Sequence, residues 1–113
     1  MADPLRGEVW NVDLNPTRGR EQRGSRPALV VSTDRFNRGP AELVVVVPIT
    51  GTERGIPLHV RIDPPEGGLK KRSFVKCEDV RSVSRERLTR RWGVVSRATL
   101  SAVEDRLRIL LEL

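Results

Sequence analysis

Tyrosine is absent from this chain, and its only aromatic residues are two tryptophans and two phenylalanines. So few rings cannot build the stacking platforms on which many single-stranded nucleic-acid binders lay their bases. The one histidine, His59, and one cysteine, Cys77, are too few for a tetrahedral zinc site of the structural kind. A lone cysteine also excludes an internal disulfide framework and fits a reducing, cytoplasmic setting. No run approaches the ~18 apolar residues of a membrane span, and the opening "MADPLRGEVW" lacks the apolar core of a secretory signal. Walker, GxGxxG and GxSxG motifs are missing too. At 113 residues, the expectation is one domain, 1–113, with a modest core of its own.

What the chain has is arginine. Its basic residues are 18 arginines and 3 lysines, and the net charge is +6. Such a balance points to polyanionic partners: nucleic acid, an anionic membrane or an acidic protein. Arginine's planar fork suits bidentate contacts to phosphate. The charge also has a geography. Residues 69–91, "LKKRSFVKCEDVRSVSRERLTRR", hold nine basic and three acidic side chains, a net +6 that equals the charge of the whole chain. With rings scarce, backbone phosphates rather than bases should dominate any nucleic-acid affinity.

Nine glycines and eight prolines cut the sequence into short pieces. "EVWNVDL" alternates Trp10, Val12 and Leu14 with Asn11 and Asp13, the period of a half-buried strand. "PALVVS" (27–32) and "LVVVVPI" (43–49) are apolar on both faces and should be central strands. Pro48, which cannot donate to a ladder, reads as a bulge or a strand end. "LHVRI" (58–62) sends Leu58, Val60 and Ile62 inward and His59 and Arg61 outward. Shorter strands are expected around 73–77, 80–83 and 91–95, and a helical turn around 33–39. Only the end reads as a strong helix: from Ser96, a candidate N-cap, Leu100, Val103, Leu107 and Leu110 or Leu111 recur at three and four. Glu104 and Arg108 would pair on its other face. Short strands closing around one helix predict a small barrel-like α+β domain.

Which residues could do chemistry? A Cys77–His59 nucleophilic pair is disfavoured. Cys77 shares a strand face with Val75 and reads as a buried structural thiol, while His59 reads as a solvated edge-strand residue. Glu78 and Asp79, as strand neighbours, would point to opposite faces. What remains is metal-free chemistry on a phosphate. RNA carries its own nucleophile, the 2′-OH, so catalysis needs a base, cations on the phosphorane, and a donor near the leaving 5′-oxygen. Arginine supplies the cation but not the base, since it stays protonated. In "GREQRGSRPALVV" one acid, Glu21, sits among arginines. It has the composition of a base or of an arginine-positioning carboxylate in a phosphodiester-cleaving loop, and equally that of a residue that merely relieves repulsion.

The sequence resembles the MazF/PemK/Kid family of toxin endoribonucleases. "RGEVWNVDLNPTRGREQRGSRPALVVS" is similar to the family's opening strand, Asn/Asp-Pro turn, "G-x-E-Q-x-G-x-R-P" loop and second strand. "LVVVVPIT" is similar to its strand ending in threonine, and "GGLKKRSFVKCEDVRSVSRERL" to its later strands. The resemblance covers Gly7 to Leu113 and implies a small SH3-like β-barrel with short helices and a C-terminal α-helix. It implies cleavage of single-stranded RNA without metal or cofactor, with Arg26 and Thr50 as catalytic residues and Glu21 as the loop glutamate. Arg18, Arg20, Arg23, Arg54, Lys76, Glu78 and Asp79 become candidate substrate contacts. Asp79 departs from the glutamine many members carry, so a carboxylate replaces a base-contacting amide. The resemblance also implies a homodimer, with part of Leu100, Val103, Leu107 and Leu110 at or near the subunit contact, and an antitoxin whose acidic tail covers the RNA groove. A non-catalytic RNA-binding module and a gyrase-poison toxin of the same fold are the alternatives.

Overall fold

The structure, a computed structural model, describes residues 3–15, 19 and 24–113. The described residues form seven strands, β1 (Glu8–Asp13), β2 (Ser25–Val30), β3 (Leu43–Thr50), β4 (His59–Ile62), β5 (Ser73–Lys76), β6 (Arg81–Ser84) and β7 (Leu88–Val94). A short helix α1 (Asp34–Asn37) follows β2, and α2 (Arg97–Leu111) closes the chain. The strands pair antiparallel in the order β4-β5-β3-β2-β1-β7, with β6 also on β3. This is the expected α+β sheet with a C-terminal helix, and the two β-branched runs are central in it.

β3 makes the sheet curl. Its first half, Leu43–Val46, pairs with β6, and its last residues, Ile49 and Thr50, pair with β5. Pro48 falls at the handover. It is neither a bulge nor a strand end: it stays in register opposite Ala28 of β2. On the other side it occupies the one stretch where no ladder asks for its missing N–H.

Alternation sorts the side chains of β1–β3 into two cores. Val9, Leu29, Val47 and Ile49 join Val60, Val75 and Val95 beneath α2. Trp10, Val12, Ala28, Val30, Val44 and Val46 join Val83 and Leu88 on the opposite face. From α2, Val103 is fully buried in the first core, with Leu100 and Leu107 packed against it. Burial of one such side chain contributes about 1.5–3 kcal/mol. The apolar stripe of the helix therefore serves the chain's own core, and only its end (Ile109, Leu110, Leu111) stays exposed. The Glu104–Arg108 pair does not form. Glu104 takes Arg6, and Arg108 takes Asp105 at 3.0 Å.

Ser96 is the N-cap, its Oγ accepting from the Thr99 N–H at 3.1 Å. Glu66 accepts from the Ser96 N–H at 2.9 Å, so a carboxylate from the β4–β5 connection also sits at the positive end of α2. That connection crosses β7 closely. Gly68 has φ +74, and a Cβ there would lie 2.2 Å from the Trp92 carbonyl oxygen. Only glycine on this side lets the two backbones meet.

Candidate active site

Arg26 lies near the start of β2, exposed, opposite Val12 of β1. The β2–β3 register runs Ala28↔Pro48, Leu29↔Val47, Val30↔Val46. Continued by two residues, it sets Arg26 opposite Thr50. Directly opposed residues share a sheet face. Thr50 in turn opposes Phe74 of β5, and His59 of β4 opposes Lys76. Arg26, Thr50, Phe74, Lys76 and His59 thus belong to the face turned away from α2. Pro27 keeps Arg26 extended at the mouth of the strand.

Thr50 is only 7% exposed. Its Oγ1 accepts from the Thr52 N–H at 3.2 Å, a short turn that starts the loop after β3. Because the hydroxyl accepts from backbone, its own proton remains to be donated. Arg54 stands exposed on that loop.

The second group gathers at the end of β5, where the sequence pattern misleads. Glu78 and Asp79 belong to a 3₁₀ turn, Cys77–Asp79, not to a strand. The turn brings Glu78 onto His59, with Nε2 to Oε2 at 2.8 Å. β4 is an edge strand as expected, but His59 is not solvated there: its side chain is 3% exposed. Among the described residues its Nδ1 has no hydrogen-bond partner. An imidazole on a carboxylate can relay protons, and here it also ties β4 to the turn. Asp79 is matched by two cations, Arg81 at 2.9 Å and Lys76 at 3.8 Å. The carboxylate at this position is therefore held by charge, as an amide would not be. Cys77 is fully buried as expected, and burial pushes its thiol up to about 11.

Glu21, Arg18, Arg20 and Arg23 lie outside the described residues. The sequence reading missed two features. One is the His59–Glu78 pair, whose signal needs both the β4–β5 register and the turn. The other is Lys71, which lies against Gly51, the residue after Thr50. Among the described residues no three of His, Cys, Asp and Glu gather as metal ligands.

The model of the family described as PemK-like, MazF-like toxin of type II toxin–antitoxin system matches residues 5–111. The chain is 39% identical to Endoribonuclease MazF9 of Mycobacterium tuberculosis, over 96% of each protein. It is 33% identical to Endoribonuclease EndoA of Bacillus subtilis, over 96% of this chain and 94% of the relative. Among solved structures, MazF from Deinococcus radiodurans covers the whole of both chains with a TM-score of 0.89 at 28% identity. A mycobacterial endoribonuclease in complex with its cognate antitoxin gives a TM-score of 0.80 at 31% identity, over 97% of this chain and 96% of that one. The sheet order, the helix that closes it and the sequence along nearly its whole length agree, and the chain belongs to the PemK-like, MazF-like toxins of type II toxin–antitoxin systems.

Proposed function

We propose that this protein is the toxin of a type II module and acts as a metal-independent endoribonuclease on single-stranded RNA. The observation that carries the reading is the β2–β3 register, which, continued two residues beyond the Ala28↔Pro48 pair, would bring the Arg26 guanidinium opposite the Thr50 hydroxyl. The 2′-OH attacks the adjacent phosphorus and loses its proton to a base. The P–O5′ bond breaks, and the 5′-oxygen takes a proton. Arg26 balances the charge that develops on the phosphorane, and the Thr50 hydroxyl donates to it. Glu21 is the base or the carboxylate that positions an arginine. Lys76, Glu78 and Asp79, with Arg18, Arg20, Arg23 and Arg54, contact the RNA. The relatives named endoribonucleases support an RNA-cleaving activity, and a neighbour solved with its cognate antitoxin supports an antitoxin partner, whose acidic segment over the site is suggested by this chain's net charge of +6. A homodimer in the cytoplasm completes the proposal, with the exposed end of α2 near the contact.

The test is incubation with single-stranded RNA in excess EDTA and mapping of the new ends. The expected products carry 2′,3′-cyclic phosphate and 5′-OH. A single 2′-deoxy substitution on the 5′ side of the cut should abolish cleavage. Cutting of that deoxy substrate at the same bond would sink the mechanism.

A further inference from the structure

β3 ends at Thr50 and β5 begins at Ser73, so Gly51 and Lys71 both lie just beyond the ladder. There the Lys71 side chain occupies the space that a side chain at residue 51 would fill. A Cβ built on Gly51 would be 2.8 Å from Lys71 Cε and 2.9 Å from Nζ. Adding that Cα–Cβ bond and one Cα–Cα step puts the ammonium within about 8 Å of the Thr50 Cα at most. Neighbouring cations have carboxylate partners: Arg61 and Arg72 share Asp63, and Lys76 and Arg81 share Asp79. The Lys71 ammonium has no ion pair or hydrogen bond among the described residues, and the residue is exposed. An uncompensated point charge beside a phosphodiester site is a counter-charge for a phosphate.

We infer that Lys71 is a backbone-phosphate contact for single-stranded RNA at the Thr50 rim of the site, and that Gly51 is small to seat it. This rests on the ribonuclease reading and adds a substrate-binding residue to it. Lys71 acts on binding, so its loss should raise KM more than it lowers kcat.

Gly51 gives an independent handle. Its φ is not positive, and the atoms a Cβ would strike are the far end of a flexible lysine. Gly51→Ala should therefore fold normally and displace the ammonium without removing it. The probe is a short 2′-deoxy single strand of mixed sequence, which offers phosphates and no nucleophile. Its affinity is measured against salt for wild type, Lys71→Met, Lys71→Arg, Gly51→Ala and the Gly51→Ala/Lys71→Met double variant. One lost phosphate contact on a single strand lowers the log–log salt slope by about 0.7. Lys71→Met and Gly51→Ala should each show that loss, the double variant no more than either alone, and Lys71→Arg should keep the wild-type slope. A wild-type slope in Lys71→Met or in Gly51→Ala overturns the assignment, as do losses that add in the double variant. Arg26→Ala on cleavable RNA separates the two claims. If Arg26→Ala is inactive while Lys71→Met keeps its slope, only Lys71 is misassigned; if Arg26→Ala cleaves like wild type, the reading of the site itself fails.

Discussion

The β2–β3 register, continued two residues past Ala28↔Pro48, sets Arg26 opposite Thr50, and the roles proposed for them can be separated by changing one atom group at a time. Arg26→Ala should lose about 10²-fold or more in cleavage rate, as removal of an oxyanion donor does. Arg26→Lys should recover little, because the charge returns without the fork. Thr50→Ser should keep much of the activity and Thr50→Val little, since the proposed role of Thr50 lies in its hydroxyl. Single-turnover rates on one RNA check all four, and a folded Arg26→Ala with wild-type rate would refute the assignment. Glu8 makes a separate prediction about stability. Its side chain is 10% exposed and accepts from the Leu5 N–H at 2.7 Å, the Trp10 indole N–H at 3.0 Å and Arg91 Nε at 2.5 Å. Burial pushes its pKa up, but the bonds from Trp10, Leu5 and Arg91 outweigh it and hold the group below its ordinary 4.5. A depressed folded pKa contributes stability above the unfolded value that is lost as pH falls through the folded one. Wild type should therefore lose stability below about pH 4.5 more steeply than Glu8→Gln. Urea midpoints across that range compare them, and parallel curves would show that Glu8 contributes no such term.

At the scale of elements, the features legible in the sequence were those with a period. The runs 27–32 and 43–49 have no polar face to turn to solvent, and they are the central strands. Ser96 announces α2 because a hydroxyl before a three-four apolar pattern has one common use. A turn has no period, which is why Glu78 and Asp79 read as strand neighbours and His59 as solvated. The 3₁₀ turn at Cys77–Asp79 redirects both acids, and with them the surroundings of the histidine. Pairing by charge was equally illegible: Glu104 looked toward Arg108 along the helix, but Arg6 reaches it from elsewhere in the chain. In the candidate site, Arg26 and Thr50 were legible through motif resemblance, whereas Lys71 required knowing that Gly51 leaves it room. The helix start is itself testable. Ser96→Ala removes the acceptor for the Thr99 N–H and should cost about 1 kcal/mol in urea denaturation. Ser96→Asp, which restores an acceptor but places a second carboxylate beside Glu66, should recover only part of it. Full stability in Ser96→Ala would mean that Glu66 alone suffices as the cap.

For the molecule as a whole, closure rests on one crossing. The β4–β5 connection passes β7 at Gly67–Gly68, and a Cβ on Gly93 of β7 would lie 2.7 Å from the Gly67 carbonyl carbon and from the Gly68 nitrogen. Both strands of contact are backbone, so neither can yield as a flexible side chain would. Gly55 provides the control. It also has positive φ, +64, but no atom of the described residues lies within 4 Å of where its Cβ would stand. Gly55→Ala should thus show only the left-handed backbone cost, about 1–2 kcal/mol at most. Gly68→Ala meets that cost plus a backbone clash of the overpacking kind, typically another 1–3 kcal/mol. A total near 3 kcal/mol or more is a large share of the roughly 5–15 kcal/mol that holds a domain of this size folded. Gly68→Ala should accordingly be much less stable than Gly55→Ala in urea, and Gly93→Ala should resemble Gly68→Ala without the φ contribution. Because Glu66 lies in the same connection and caps α2, the Gly68 variant should also lose helical signal early in the transition. Equal stability of Gly68→Ala and Gly55→Ala would show that the connection stands off from β7 and that the sheet closes without this crossing.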